Sequence, residues 1–261
     1  MSVDFSYEPE PYKGLRIRQS GNVLRAELNT PESGNALTAA VLDDLLALLD
    51  GLHDDPGTRV LILSGAGDDF CVGADRREFK AAMEADPSGA ALRAIANKAR
   101  RVCEALETVP AVTIARLQGK VLGAGLALAA YCDLRAGADT CRFRMPEVAL
   151  GVPPAWGGAL SRLIAEAGAA RIRELVLTCD VFSAATAERL AILHKVTTLQ
   201  DLDAEIDAWV RPLARRSAEA LTITKLMLAA QSRASRLTDG TFFDAHLLAS
   251  TLGPPQGGAP V

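Results

Sequence analysis

Short apolar runs alternate with stretches of helical spacing through the first half of this chain, and a glycine or proline interrupts most of the junctions. Residues 59–63 (RVLIL) are apolar after the first position, as a strand buried on both faces must be. Residues 111–115 and 132–136 read as further strands. Residues 15–18 and 23–28 alternate apolar and polar positions across Ser20, Gly21 and Asn22, which predicts a hairpin. Between these strands, Thr38 is placed to cap a helix running to Leu49, with Val41, Leu42, Leu45, Leu48 and Leu49 on one face. A polar helical segment over 76–90 and a helix over 91–108 follow. A glycine-interrupted turn at 119–125 then leads into a helix over 126–131. From Pro154 onward the pattern predicts helices alone. Alternating strands and helices followed by helices define an α/β fold. Four regions are expected: an irregular arm over 1–13, a core over 14–195, a helical region over 196–252 and a Gly/Pro-rich flexible tail over 253–261.

The chemistry open to the chain is bounded by its charge and its cysteines. A net charge of −4 supplies no basic field for nucleic acid or an anionic membrane. The longest apolar run, near 121–132, is about a dozen residues, too short to span a bilayer. The five cysteines are odd in number and form no CxxC pair, which argues against a disulfide framework or a zinc site. Reduced cysteines, and a start without the apolar core of a signal peptide, suit a cytoplasmic protein. His53, His194 and His246 are isolated, with no triad implied.

Three segments can carry chemistry. Gly119, Gly123 and Gly125 punctuate a turn that opens a helix. Such an end can hold an oxyanion or a phosphate, or it can be a helix start packed closely on a sheet. Its spacing is neither a dinucleotide fingerprint nor a phosphate loop. At 70–75 (FCVGAD) a glycine and a small residue can expose a backbone N–H, or simply turn the chain. Glu147 follows Pro146 in a stretch of Val148, Ala149, Leu150 and Val152. A carboxyl in apolar surroundings has a raised pKa suited to proton transfer; a surface or capping glutamate is the alternative.

In this order the segments resemble the enoyl-CoA hydratase/isomerase (crotonase) family. The matching stretches are Asn29 to Leu37 (NTPESGNAL), Phe70 to Asp75, Gly119 to Gly125, Cys132-Asp133, and Pro146-Glu147 with Gly151, Pro154, Gly157 and Gly158. The resemblance covers roughly 15–250. It implies a spiral of ββα units followed by a helical trimerisation region, as a homotrimer or a dimer of trimers. It implies an acyl-CoA thioester as ligand, with no cofactor beyond that coenzyme and no metal. The thioester oxygen would be held by the backbone N–H groups of Ala74 and Ala124. Losing one such donor typically costs about 3–4 kcal/mol of transition-state stabilisation. Glu147 would be the acid/base. Ala36, Val72, Asp75 and Arg76 match segments that line the coenzyme. Arg76 or Arg77 would meet a phosphate or stand in solvent.

Departures from the family pattern bear on the reaction. Family hydratases usually carry a second glutamate where this chain has Ala127. One carboxylate suits double-bond isomerisation, in which a single base moves a proton between two carbons. A hydratase or lyase with an altered site, a non-catalytic acyl-CoA-binding subunit, decarboxylation and thioester hydrolysis are the alternatives. Trp156 stands where the family has small residues, and would narrow the acyl pocket or serve as a core or trimer contact. After Leu252 the chain turns Gly/Pro-rich, so the family's covering C-terminal helix is shortened.

Overall fold

The computed structural model describes residues 12–55, 57–234 and 244–252. Most of the expected N-terminal arm, residues 239–243 of the last helix that the spacing predicts (239–250), and the tail over 253–261 lie outside the described residues.

The hairpin forms as the alternation requires: β1 (Leu15–Ser20) pairs antiparallel with β2 (Val23–Leu28). From β2 onward the large sheet is parallel, through β3 (Val60–Gly65), β4 (Val112–Leu117), β6 (Leu134–Ala138) and β9 (Lys195–Thr197). Its order is β1-β2-β3-β4-β6-β9. Parallel neighbours need crossovers. The first is α1 (Ala39–His53), capped by the Thr38 hydroxyl, which accepts the Val41 N–H at 3.2 Å. Two helices, α2 (Arg76–Ala85) and α3 (Ala90–Thr108), lead from β3 to β4.

A second layer is built from β5 (Lys120–Leu122), β7 (Arg142–Arg144) and β8 (Phe182–Ser183). Isolated bridges extend it backward along the chain: Cys71 pairs with Val121, and Leu37 with Ala74. Each winding of the chain thus leaves a strand in the large sheet and a shorter pairing in the small one. Phe143 and Phe182 fill the space behind the small sheet, their rings 5.4 Å apart.

The helices α4 (Ala124–Ala130), α5 (Ala159–Ala167), α6 (Ala169–Thr178), α7 (Ala184–Arg189), α8 (Leu202–Leu213), α9 (Ala218–Ala234) and α10 (Asp244–Leu252) complete the described structure. Every residue of α4 is buried. Asp133, from the Cys-Asp pair, ties α9 to the sheet. Its carboxylate accepts from the Thr113 N–H and hydroxyl and faces buried Lys225 at 2.8 Å.

The structure differs from the sequence expectation in three places. The fourth helix begins at Ala124, two residues before the expected start, because Gly123 makes the whole turn by itself. Residues 132–133 belong to the turn before β6, which begins at Leu134. The region after Pro154 is not helical throughout, since β8 and β9 lie within it. These strands have two and three residues, too few to display a period.

Candidate active site

Two backbone segments meet beneath Glu147. In the first, residues 34–37 lie alongside 72–75. The Leu37 N–H donates to the Gly73 carbonyl at 2.8 Å, and the Asp75 N–H donates to the Leu37 carbonyl at 3.1 Å. Because successive residues of an extended chain face opposite ways, the N–H of Ala74 points away from this pairing. Asn35 anchors the neighbouring loop. It is buried in a left-handed conformation that asparagine tolerates, and its amide donates to the carbonyls of Ala66 and Asp69 at 2.9 and 2.8 Å.

In the second segment, Gly123 adopts φ 47 and ψ −116, a conformation strained for any residue with a side chain. The first bond inside α4 runs from the Ala127 N–H to the Gly123 carbonyl, so the Ala124 N–H has no acceptor within the helix. The segments are in contact: a Cβ added to Gly73 would lie 3.5 Å from the Ala124 nitrogen. Gly125 is required for the same reason, since its added Cβ would fall 2.5 Å from the Cys71 carbonyl.

Glu147 sits at the start of a short 3-10 turn, where its carbonyl accepts from the Leu150 and Val152 N–H groups. Its side chain folds back over Gly123, whose added Cβ would be 2.9 Å from Oε1. Oε2 is buried with no hydrogen-bond partner. Burial pushes the Glu147 pKa above the ordinary carboxylate value, opposed by a weaker hydrogen bond from its own backbone. The carboxyl faces a cavity of about 20 Å³ lined by Gly123, Ala127, Met145, Pro154, Trp156 and a cluster of leucines. That space suits one water-sized group.

The structure therefore brings together Glu147, Ala127 and Trp156, with Ala74 and Ala124 on the two touching segments. Trp156 is buried and stacks on Phe79 at 5.9 Å, so α2 leans on the wall of the cavity. The other expected residues lie around the first segment. Ala36 is buried and Val72 fills the space beside Gly34. Asp75 caps α2, its carboxylate accepting the N–H groups of Arg77 and Glu78 at 2.8 and 3.0 Å. Arg76 is exposed at the start of that helix. Sequence reasoning missed Phe79. Its signal was a lone aromatic ring in an otherwise polar helix (RREFKAAMEA). Among the described residues, no three His, Cys, Asp or Glu side chains group as a metal site, and all five cysteines are buried and free. None of their helices is long and apolar enough to cross a membrane.

A spiral carrying these two touching segments invites comparison with known proteins. Residues 18–254 match the family model described as enoyl-CoA hydratase/isomerase. The chain is 33% identical over 241 residues to a probable enoyl-CoA hydratase of Mycobacterium bovis, covering 92% of this chain and 90% of that one. It is 33% identical over 200 residues to a crotonyl-CoA hydratase of Syntrophomonas wolfei, covering 75% and 73%. A solved enoyl-CoA hydratase of Mycobacterium smegmatis superposes with a TM-score of 0.78 at 28% identity, over 87% of this chain and 89% of that one. The chain belongs to the enoyl-CoA hydratase/isomerase family, and its fold is the crotonase fold.

Proposed function

We propose that this protein acts on an acyl-CoA thioester by stabilising its enolate, with Glu147 as a single acid/base in an isomerase-like proton shuttle. The observation that carries this reading is the solitary carboxyl. The wall opposite Glu147, where a second acid would stand, is Ala127 among Met, Pro, Trp and Leu side chains. An ordered water needs two to four polar partners, and among the lining side chains only Glu147 is polar. In the step proposed, a Glu147 carboxylate oxygen takes a proton from the α-carbon of a 3-enoyl thioester. The C–H electron pair moves into a dienolate whose negative charge rests on the thioester oxygen. The N–H groups of Ala74 and Ala124 hold that oxygen, and Glu147 returns the proton to the γ-carbon. A raised pKa fits both halves of the shuttle, since the base must also hold the proton between them.

Coenzyme A enters as part of the substrate, and no further cofactor is needed. Ala36, Val72 and Asp75 shape the loop beside it, and the exposed Arg76 guanidinium is available to a phosphate. A homotrimer or dimer of trimers in the cytoplasm is the assembly this reading expects. Ile223, Met227 and Leu228 on α9 are exposed by 51%, 68% and 67%, an apolar surface that association would cover.

Hydration is the second reading, favoured by the hydratase names of the relatives. The purified protein is to be incubated separately with a 3-enoyl-CoA and with crotonyl-CoA, and the products followed by mass and by the absorbance of the conjugated thioester. Conversion of the first to its conjugated isomer at unchanged mass supports the shuttle. Gain of one water by the second, without isomerisation of the first, replaces it with hydration. Binding of both without turnover identifies a non-catalytic acyl-CoA-binding subunit.

A further inference from the structure

On the outer face of the large sheet, away from Glu147, lies an open cleft of about 540 Å³ between the hairpin and α8. Small-molecule sites typically occupy about 300–1,000 Å³. Arg16 and Arg18 from β1, Arg25 from β2 and Arg116 from β4 line it, with the hydroxyls of Ser20 and Ser64. Arg18 and Arg25 stand directly opposite each other across the β1–β2 ladder. Like charges in that register destabilise a sheet.

The surrounding acids compensate only in part. Arg16 pairs with Glu27 at 2.7 Å, Arg25 with Asp207 at 3.1 Å, and Arg116 with Asp203 at 2.6 Å. Four guanidiniums meet three carboxylates, and Arg18 has no ion-pair partner among the described residues. The hydrogen bond from Arg116, with smaller contributions from the charges of Arg116 and Arg25, holds the Asp203 carboxyl below its usual range against the opposing effect of burial. Protection of an exposed sheet edge would account for arginines on β1. It does not account for Arg25 and Arg116, which lie on interior strands.

We infer that this cleft binds a phosphate-bearing small molecule, with Arg18 and Arg25 straddling the phosphate and Ser20 or Ser64 completing its hydrogen bonds. Guanidinium forks match phosphate oxygens, and a shared anion turns the repulsive Arg18–Arg25 pair into two attractive contacts. The site is separate from the thioester site and does not depend on the reaction proposed there.

Inorganic pyrophosphate, titrated calorimetrically into the full chain at constant ionic strength, is the probe. Saturable binding is expected, weakened at least tenfold in both Arg18→Glu and Arg25→Ala. Arg76→Ala, which alters the expected coenzyme site, should leave it unchanged. The two cleft variants should retain the wild-type circular dichroism spectrum and a cooperative urea transition, which shows that they fold. Absence of pyrophosphate binding, or its loss in Arg76→Ala with retention in the cleft variants, overturns the inference. So does a change of oligomeric mass in Arg18→Glu, which would make the cleft a contact between copies of the chain.

Discussion

Gly123→Ala separates the geometry of the site from the stability of the fold. Alanine at φ 47 and ψ −116 carries backbone strain, of the order of 1–3 kcal/mol for sparsely populated conformations. The new Cβ would also stand 2.9 Å from Glu147 Oε1 and 3.5 Å from Pro146 Cδ. The nearer neighbour is the end of a flexible side chain, so the clash is relieved by swinging the carboxylate away and adds little to the strain. The catalytic effect should be larger, because displacing a reacting group by about 1 Å costs on the order of 10²-fold in rate. Gly151→Ala is the control. It also replaces a left-handed glycine, at φ 76, but nothing lies within 4 Å of its added Cβ. Its cost should be about 1–2 kcal/mol, the strain of one left-handed alanine. Urea denaturation gives the stabilities, and α-proton exchange of an acyl-CoA in heavy water, followed by mass, reports enolate formation whatever the final product. Both variants should lose similar stability, while only Gly123→Ala loses about a hundredfold in exchange rate with little change in KM. Equal exchange rates in the two variants would refute the placement of Glu147 over Gly123.

Further outcomes follow from the surroundings of Glu147. Because burial raises its pKa, the folded chain keeps a proton that the unfolded chain has released between the ordinary carboxylate value and the raised one. Stability from this group therefore falls as pH climbs through that window, and Glu147→Gln should melt higher than wild type above it, the difference vanishing below it. The same substitution should lower turnover by about 10²–10⁴-fold, the usual contribution of a positioned acid/base. Wild-type kcat/KM should rise with pH along an acid limb lying above the ordinary carboxylate range. Trp156→Ala removes the ring that walls the cavity and stacks on Phe79. It should destabilise the fold by about 3–5 kcal/mol. It should also shift kcat/KM toward longer acyl chains, and an unchanged chain-length profile would place the acyl group elsewhere.

What could be read from the chain, and what could not, follows from the physics of each element. The hairpin, α1 and the longer parallel strands β3 and β4 carry apolar patterns long enough to see, whereas three-residue β9 does not, and Thr38 announces the start of α1. The small sheet was invisible because β5, β7 and β8 have three, three and two residues. Their pairing depends on partners far along the chain, such as Lys120 with Arg142 and Phe143 with Phe182. Yet this hidden sheet fixes the candidate site. The Cys71–Val121 bridge brings the 70–75 segment against the turn before α4, and the Gly123 N–H donates to the Arg144 carbonyl of β7 at 2.9 Å. The glycines were therefore legible as places of close approach, but not what they approach. Gly73 meets the turn at Leu122 and Ala124, Gly125 meets Cys71, and Gly123 meets Glu147. One consequence reaches the chemistry. The carboxyl is held against the very glycine whose carbonyl starts α4, so the base, carried on its own 3-10 turn, and the Ala124 N–H converge on one residue. A Cβ at Gly123 therefore acts on the base directly, at the point where it meets the start of α4, whereas Trp156 and Phe79, on separate elements, leave the acyl wall free to vary independently of that contact.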